Sequence, residues 1–163
     1  MHREVLDWLR KIRKAHPALF DGGYVLECGA GNNTYPIRGL FPLSRYTGLD
    51  VHGGPGVDVV GLVHEYQPEQ QFDLVLSLQM LEHDPYWRKS LQKMTEFLNP
   101  GGSLILTFAG PGYPVHDPQS SPIWGYYENR TLDEVESVLD GRFTSFKAEQ
   151  NHWDVYCLAM GKK

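Results

Sequence analysis

The residues with the clearest chemical meaning stand in the run Val25-Leu26-Glu27-Cys28-Gly29-Ala30-Gly31-Asn32-Asn33-Thr34. An apolar stretch breaks into Gly-x-Gly, the pattern of a backbone turn that comes close to a ligand. Glu27 precedes the first glycine by two residues, so the turn carries a negative charge. A pyrophosphate-binding loop calls for G-x-G-x-x-G and a tolerant electrostatic setting, but Thr34 holds the sixth position and Asn33 the one before it. No Lys or Arg occurs between Gly22 and Ile37. A carboxylate beside the turn suits a nucleoside that carries positive charge and no phosphate, and opposes a dinucleotide. S-adenosylmethionine has that chemistry, with its adenosine, sulfonium and ammonium groups.

Asp50 lies 23 residues beyond Glu27, at the end of a second apolar run. There a carboxylate accepts hydrogen bonds from both ribose hydroxyls. That role fits dinucleotide and methyl-donor sites alike, and a plain turn before His52-Gly53-Gly54 also accounts for an aspartate.

These residues need elements to hold them. Val5, Trp8, Leu9 and Ile12 share a helical stripe, which predicts a helix from residue 2 to about 15. Tyr24–Cys28, Arg45–Asp50, Val57–Val60 and Phe72–Leu78 read as strands, the last apolar enough to be buried on both faces. Pro36–Phe41 has room for one or two helical turns. Asp84 as N-cap and Pro85 at the first helical position predict a helix carrying Trp87, Leu91, Met94 and Leu98, stopped by Asn99-Pro100-Gly101-Gly102. Ser103–Phe108 is the next strand, and Thr131 caps a helix to Leu139 with Asp133 and Glu134 in its first turn. Two strands, about 142–149 and 153–160, close the chain as an antiparallel hairpin. Strands alternating with helices or crossovers predict an α/β fold: a Rossmann-like, doubly wound, mainly parallel sheet with an antiparallel C-terminal hairpin and trimmed helices.

Bulk composition bounds the rest. The 163 residues are 41% hydrophobic and 21% charged, which predicts a single domain, 1–163, with a substantial core. A net charge of −5 gives no electrostatic footprint for nucleic acid, so such a partner is not expected. The basic cluster Arg10, Lys11, Arg13 and Lys14 reads as a solvated helix face. No apolar run reaches membrane-span length and the N-terminus lacks a signal-peptide pattern, so no membrane association and a cytoplasmic location are expected. Cys28 and Cys157 read as reduced, buried thiols, and no Cys or His spacing matches a metal site.

Taken together, VLECGAGNN (25–33), YTGLD (46–50), FDLVLSLQMLEH (72–83) and LNPGGSLILTF (98–108) resemble the class I S-adenosylmethionine-dependent methyltransferases, specifically their small type 11 members. The resemblance implies a mostly parallel seven-strand sheet ending in an antiparallel hairpin, in which Cys28 and Cys157 lie on separated strands. It implies that Glu27, Gly29, Ala30 and Gly31 follow the methionine part of S-adenosylmethionine, that Asp50 holds the ribose, and that Val51 packs on adenine. Leu62 and Val63 occupy the place where relatives carry an adenine-binding acid, so apolar and backbone contacts, or Glu65 as a substitute, are expected there. Ser77 and Gln79 border the methionine end and the reactive methyl.

Methyl transfer asks the protein to align an acceptor and, for a hydroxyl, to remove a proton. His83 is the main catalytic candidate, with Glu82 and His116 behind it; hydrogen bonding within its own loop is the alternative for His83. Asp84-Pro85-Tyr86-Trp87 lies too far past the fourth strand to act as the (D/N)PPY clasp of amino-methylating enzymes. The loop 110–127, with four prolines and with Tyr113, Trp124, Tyr126 and Tyr127, is a candidate acceptor wall, or else a set of rings packed on the sheet. A small-molecule acceptor is the expected partner. A non-catalytic module with the same fold and a nucleic-acid or protein methyltransferase remain as alternatives, and the oligomeric state is not encoded in these patterns.

Overall fold

The computed structural model describes residues 2–31, 36–116, 121, 123 and 125–163. Asn33, Thr34 and Trp124, which figure in the sequence reading, lie outside the described residues. The elements in chain order are α1 (Arg3–Ala15), β1 (Tyr24–Cys28), β2 (Arg45–Asp50), β3 (Val59–Val60), β4 (Phe72–Leu78), α2 (Trp87–Glu96), β5 (Leu98–Ala109), α3 (Leu132–Leu139), β6 (Phe143–Asn151) and β7 (Asp154–Lys162). Short 3-10 turns at Pro17–Phe20, Arg38–Leu40, Val63–Glu65 and Leu81–His83 stand where fuller crossovers would run.

The strands form one seven-stranded sheet in the order β3-β2-β1-β4-β5-β7-β6. Pairings from β3 to β5 are parallel, and β7 is antiparallel to both β5 and β6. The order reverses between β1 and β4, which is the position where open α/β sheets bind ligands at the strands' carboxyl ends.

Alternation along β4 explains why it reads as mostly apolar. Leu74, Leu76 and Leu78 join Val25, Ile105 and the α1 residues Val5, Trp8 and Leu9 on one face. Val75 joins Leu26, Leu104 and Leu106 with α2 and α3 on the other. Both faces are covered, so no polar residue is needed at either parity. Cys28 and Cys157 are buried free thiols on strands separated by β4 and β5. Burial pushes the Cys157 thiol up to about 12, so neither nucleophilic nor redox work falls to it at neutral pH.

Three boundaries differ from the sequence expectation. Helix α2 starts at Trp87, not at Pro85. Asp84, extended because it precedes a proline, is not the N-cap; its carboxylate instead accepts from the Tyr86 N–H at 2.7 Å and from the Ser90 hydroxyl. Strand β5 begins at Leu98, not Ser103, so Asn99-Pro100-Gly101-Gly102 is a bulged strand start rather than a loop. Leu98 pairs with Phe72, and Asn99 donates to the Asp73 carboxylate at 2.9 Å, which anchors this stretch. Strand β3 shrinks to Val59–Val60, since the Asp58 carboxylate turns back to accept from the Gly48 N–H at 2.7 Å.

Helix α3 is held by a capping box: Thr131 Oγ1 accepts from the Glu134 N–H at 3.2 Å, and the Glu134 carboxylate accepts from the Thr131 N–H at 2.9 Å. No helix among the described residues is long and apolar enough to cross a membrane. Thr131→Ala is expected to lower unfolding free energy by about 1 kcal/mol, with the loss read from the urea midpoint at constant slope.

Candidate functional site

The candidate site starts from the turn leaving β1. Gly29 adopts φ +87°, a conformation that side chains resist, and a Cβ there would come within 2.9 Å of Met80. The Gly29 and Ala30 amides both donate to the Leu49 carbonyl, at 2.8 and 3.1 Å. The Gly31 N–H then donates to Asp50 Oδ2 at 2.9 Å, and the His52 N–H to Asp50 Oδ1 at 2.9 Å. One carboxylate thereby ties the β1 turn to the β2 loop.

Beside this turn opens a small cleft, about 40 Å³ in volume. Gly29, Asp50 and Val51 form one side, Gly61, Leu62 and Val63 a second, and Met80, His83 and Asp84 a third. Three strand ends and the turn after β4 converge here, as the reversal in strand order requires. Neither Lys nor Arg contributes to the wall, whereas two carboxylates do. Apart from the His83 imidazole the rest of the lining is apolar, Val51, Leu62 and Val63 among it.

The wall thus includes the sequence-predicted residues Gly29, Asp50, Val51, Leu62, Val63 and His83. Glu27, Ala30, Gly31, Ser77 and Gln79 stand outside it. Glu27 is buried behind the turn and accepts from the Tyr46 hydroxyl at 2.8 Å, with the Arg38 guanidinium 5.0 Å from the Tyr46 ring centre. Ser77 is wholly buried. Gln79 takes φ 55° as the chain leaves β4, and its backbone N–H donates to the Thr107 carbonyl at 2.7 Å. Glu65 is exposed, with its carboxylate 3.9 Å from His64, and does not reach the cleft. Gly61, Met80 and Asp84 were not foreseen. Met80 carries no readable polar signal, and Asp84 was absorbed by its helix-capping role.

The turn Leu81–His83 faces two ways. His83 is buried, lines the cleft, and meets Tyr127 edge-on at 5.1 Å and His116 at 5.4 Å. Tyr113 and Tyr127 both contact His116, at 5.0 Å each, so these rings form an aromatic wall beside the cleft. Tyr126 turns away, its hydroxyl donating to Glu128 at 2.8 Å. Glu82, the neighbour of His83, is wholly buried, and burial pushes its carboxyl up to about 7 against the smaller opposing pull of nearby backbone amides. Among the described residues no group of three or more metal-ligating side chains gathers anywhere.

Residues 1–144 match the family described as "Methyltransferase domain". A phthiotriol/phenolphthiotriol dimycocerosates methyltransferase of Mycobacterium ulcerans is 34% identical over 119 residues, 63% of this chain and 44% of that protein. Its Mycobacterium tuberculosis H37Rv counterpart is 36% identical over 97 residues, 50% of this chain and 36% of that protein. The matched region therefore spans less than half the length of these curated relatives.

Among solved structures, 1,6-didemethyltoxoflavin-N1-methyltransferase of Burkholderia thailandensis, with bound 1,6-didemethyltoxoflavin and S-adenosylhomocysteine, superposes with a TM-score of 0.68 at 20% identity. That superposition covers 95% of this chain and 78% of that one. The N-methyltransferase NodS of Bradyrhizobium japonicum WM9, in complex with S-adenosylhomocysteine, gives 0.63 at 15% identity, over 94% and 87% of the two chains. These structures share the Rossmann-like fold.

The raised Glu82 carboxyl has a consequence for stability. Its ordinary value, 4.5, applies in the unfolded chain, so between there and about 7 the folded chain binds the extra proton. Stability is then greatest below the unfolded value and declines as pH rises through this window. Glu82→Gln is expected to flatten that decline and to be more stable than the parent by on the order of 3 kcal/mol at pH 8, as measured by urea unfolding at pH 4.5, 6, 7 and 8.

Proposed function

This chain belongs to the methyltransferase-domain family, and we propose that it transfers the methyl group of S-adenosylmethionine to a small-molecule acceptor. The observation that carries the reading is the cleft at the reversal of strand order, walled by two carboxylates and no Lys or Arg. A phosphate-rich dinucleotide would meet repulsion there, while a cationic nucleoside meets a complementary field. S-adenosylhomocysteine in the similar toxoflavin and NodS enzymes supports the same choice.

In this reading Asp50 accepts the ribose hydroxyls, exchanging part of its present bonding to the Gly31 and His52 amides. Val51, Leu62 and Val63 sandwich the adenine, with backbone groups of the Gly61–Val63 segment in place of the missing acid. Gly29, Ala30 and Gly31 run beside the methionine part, and Ser77 and Gln79 close its far end. Glu27 acts from behind the turn, adding negative potential through Tyr46 rather than touching the ligand. When bound, the cofactor supplies an electrophilic methyl on a positively charged sulfur.

His83 carries the catalytic contact. Among the described residues it is the side chain that both lines the cleft and touches the aromatic wall, so an acceptor held against Tyr127 and His116 meets the methyl across it. The main contribution is alignment. The lysine- and arginine-free cleft and the net charge of −5 favour a small acceptor over a nucleic acid.

Calorimetric titration with S-adenosylhomocysteine, run beside NADH, tests the reading. Micromolar binding of the first and none of the second is expected; the reverse pattern, or no binding of the first at high micromolar ligand, ends it. Asp50→Ala should weaken S-adenosylhomocysteine by about 10- to 100-fold, a loss of one to two charge-assisted hydrogen bonds. Unchanged circular dichroism and melting would separate that loss from misfolding. His83→Asn should leave the same affinity within about threefold while lowering turnover about 100-fold with methyl-labelled cofactor.

A further inference from the structure

The sheet ends at β6, the last strand in its order, so one margin of that strand pairs with no other. Which of its backbone groups face outward follows from the strands before it. The Thr107 carbonyl accepts from the Gln79 N–H at 2.7 Å, on the β4 side, and the Trp153 carbonyl accepts from the Gly110 N–H. Alternation along an antiparallel ladder then turns Val155 and Cys157 toward β5, and Asp154, Tyr156 and Leu158 toward β6. Their partners on β6 are Asn151, Glu149 and Lys147. Phe146, Ala148 and Gln150 are left to direct their N–H and C=O groups outward, where no strand meets them.

The same alternation sorts the side chains. Lys147 and Glu149 stand opposite Leu158 and Tyr156, which pack beneath α1, so both charges lie on the α1 face of the sheet. Both are exposed, and neither makes an ion pair among the described residues. Helix α1 leaves this margin uncovered. An open groove of about 620 Å³ separates Trp8, Ile12 and His16 from Lys147 and Glu149. A lysine on an edge strand ordinarily deters a second strand by its charge. Here an acid follows two residues later, and that spacing makes the strand complementary to itself.

We propose that β6 is a homodimer interface, in which two copies pair antiparallel about a two-fold axis at Ala148 and the two sheets continue as one. Ala148 then bonds to its own counterpart, and Phe146 to Gln150 of the second copy. These are the residues whose backbone groups point outward. Lys147 of each copy falls opposite Glu149 of the other, at the closer, non-hydrogen-bonded positions, which gives two symmetric ion pairs. Neighbouring registers lose this match. An axis at Lys147 sets that lysine against itself, and an axis at Glu149 does the same to the acid. A slip of a single residue pairs outward with inward groups and breaks the ladder. The contact is isologous and closes at two copies, since β3 at the opposite edge offers only Val59 and Val60. With β5 and β7 standing between β4 and β6, the cleft at the β1–β4 reversal stays open.

Sedimentation equilibrium on the full chain, from about 1 µM to about 0.5 mM, is expected to show a monomer–dimer equilibrium that weakens with added salt. Glu149→Lys and Lys147→Glu each turn both pairs repulsive and should weaken the dimer at least about tenfold. The double variant K147E/E149K should return it to within about threefold of the parent, a rescue that misfolding would not give. Register is read separately with a short bismaleimide. Ala148→Cys should be linked to its counterpart, whereas Gln150→Cys, displaced along the strand from its own copy, should not; Cys28 and Cys157 are buried and leave the background low. A monomer throughout the range, no rescue by the double variant, or linkage at Gln150→Cys rather than Ala148→Cys overturns the interface. A dimer indifferent to Glu149→Lys also overturns it, by placing the second copy on another face.

Discussion

The architecture of the site depends on one reversal of the backbone, at Gly29. With φ +87° and Met80 in the space a side chain would need, the chain can leave β1 and turn back under the end of β4 only because that residue has no Cβ. The reversal brings two amides onto the Leu49 carbonyl and a third onto Asp50. The Gly29–Gly31 turn is thereby tied to the end of β2. Without it, the apolar sandwich of Val51, Leu62 and Val63 would have no floor, and Asp50 would be an ordinary surface aspartate.

A single electrostatic theme runs through the rest. Asp50 and Asp84 face the cleft, and Glu27, Glu82 and Asp154 are buried. The nearby arginines are occupied elsewhere: Arg38 by Asp58, and Arg130 by Glu128 and Trp87. Such an arrangement costs stability, as the raised Glu82 carboxyl shows, and a fold selected for stability alone would place an apolar residue there. The same concentration of acceptor oxygens suits a reaction in which a positive charge disappears and a proton must be taken up.

Much of this framework is legible in the sequence, for physical reasons that differ between elements. Strands β1, β2 and β4 have the predicted ends because glycines, prolines or charges bound short apolar runs, and Thr131 with Glu134 marks α3 by its capping chemistry. Asn99-Pro100-Gly101-Gly102 misleads because its composition signals a turn, while tertiary pairing of Leu98 with Phe72 draws it into the sheet. The aspartate before Pro85 misleads in the same way, since a local capping rule competes with the buried turn that precedes it. Val51, Leu62 and Val63 come from the family resemblance, whereas Asp50 can be placed from the end of β2 and His83 from the segment after β4. Met80 and Asp84 cannot, because their presence in the wall follows from how the turn after β4 folds back. Glu82 is the extreme case. Its burial arises from residues 128–130 returning across β5, a contact more than 40 residues distant in the chain.

The adjacency of Glu82 and His83 now takes on a mechanical sense. Within the 3-10 turn Leu81–His83, successive side chains diverge, so one short segment faces both the cleft and the interior. His83 lines the cleft, and Glu82 is wholly buried. The turn is braced on both sides, by the backbone bond from Glu128 and by the Asp84 carboxylate, which accepts from the Tyr86 N–H and the Ser90 hydroxyl. A mount of this kind fixes His83 in the cleft wall. For a displacement whose barrier falls mainly through alignment, a fixed position matters more than the basicity of the residue.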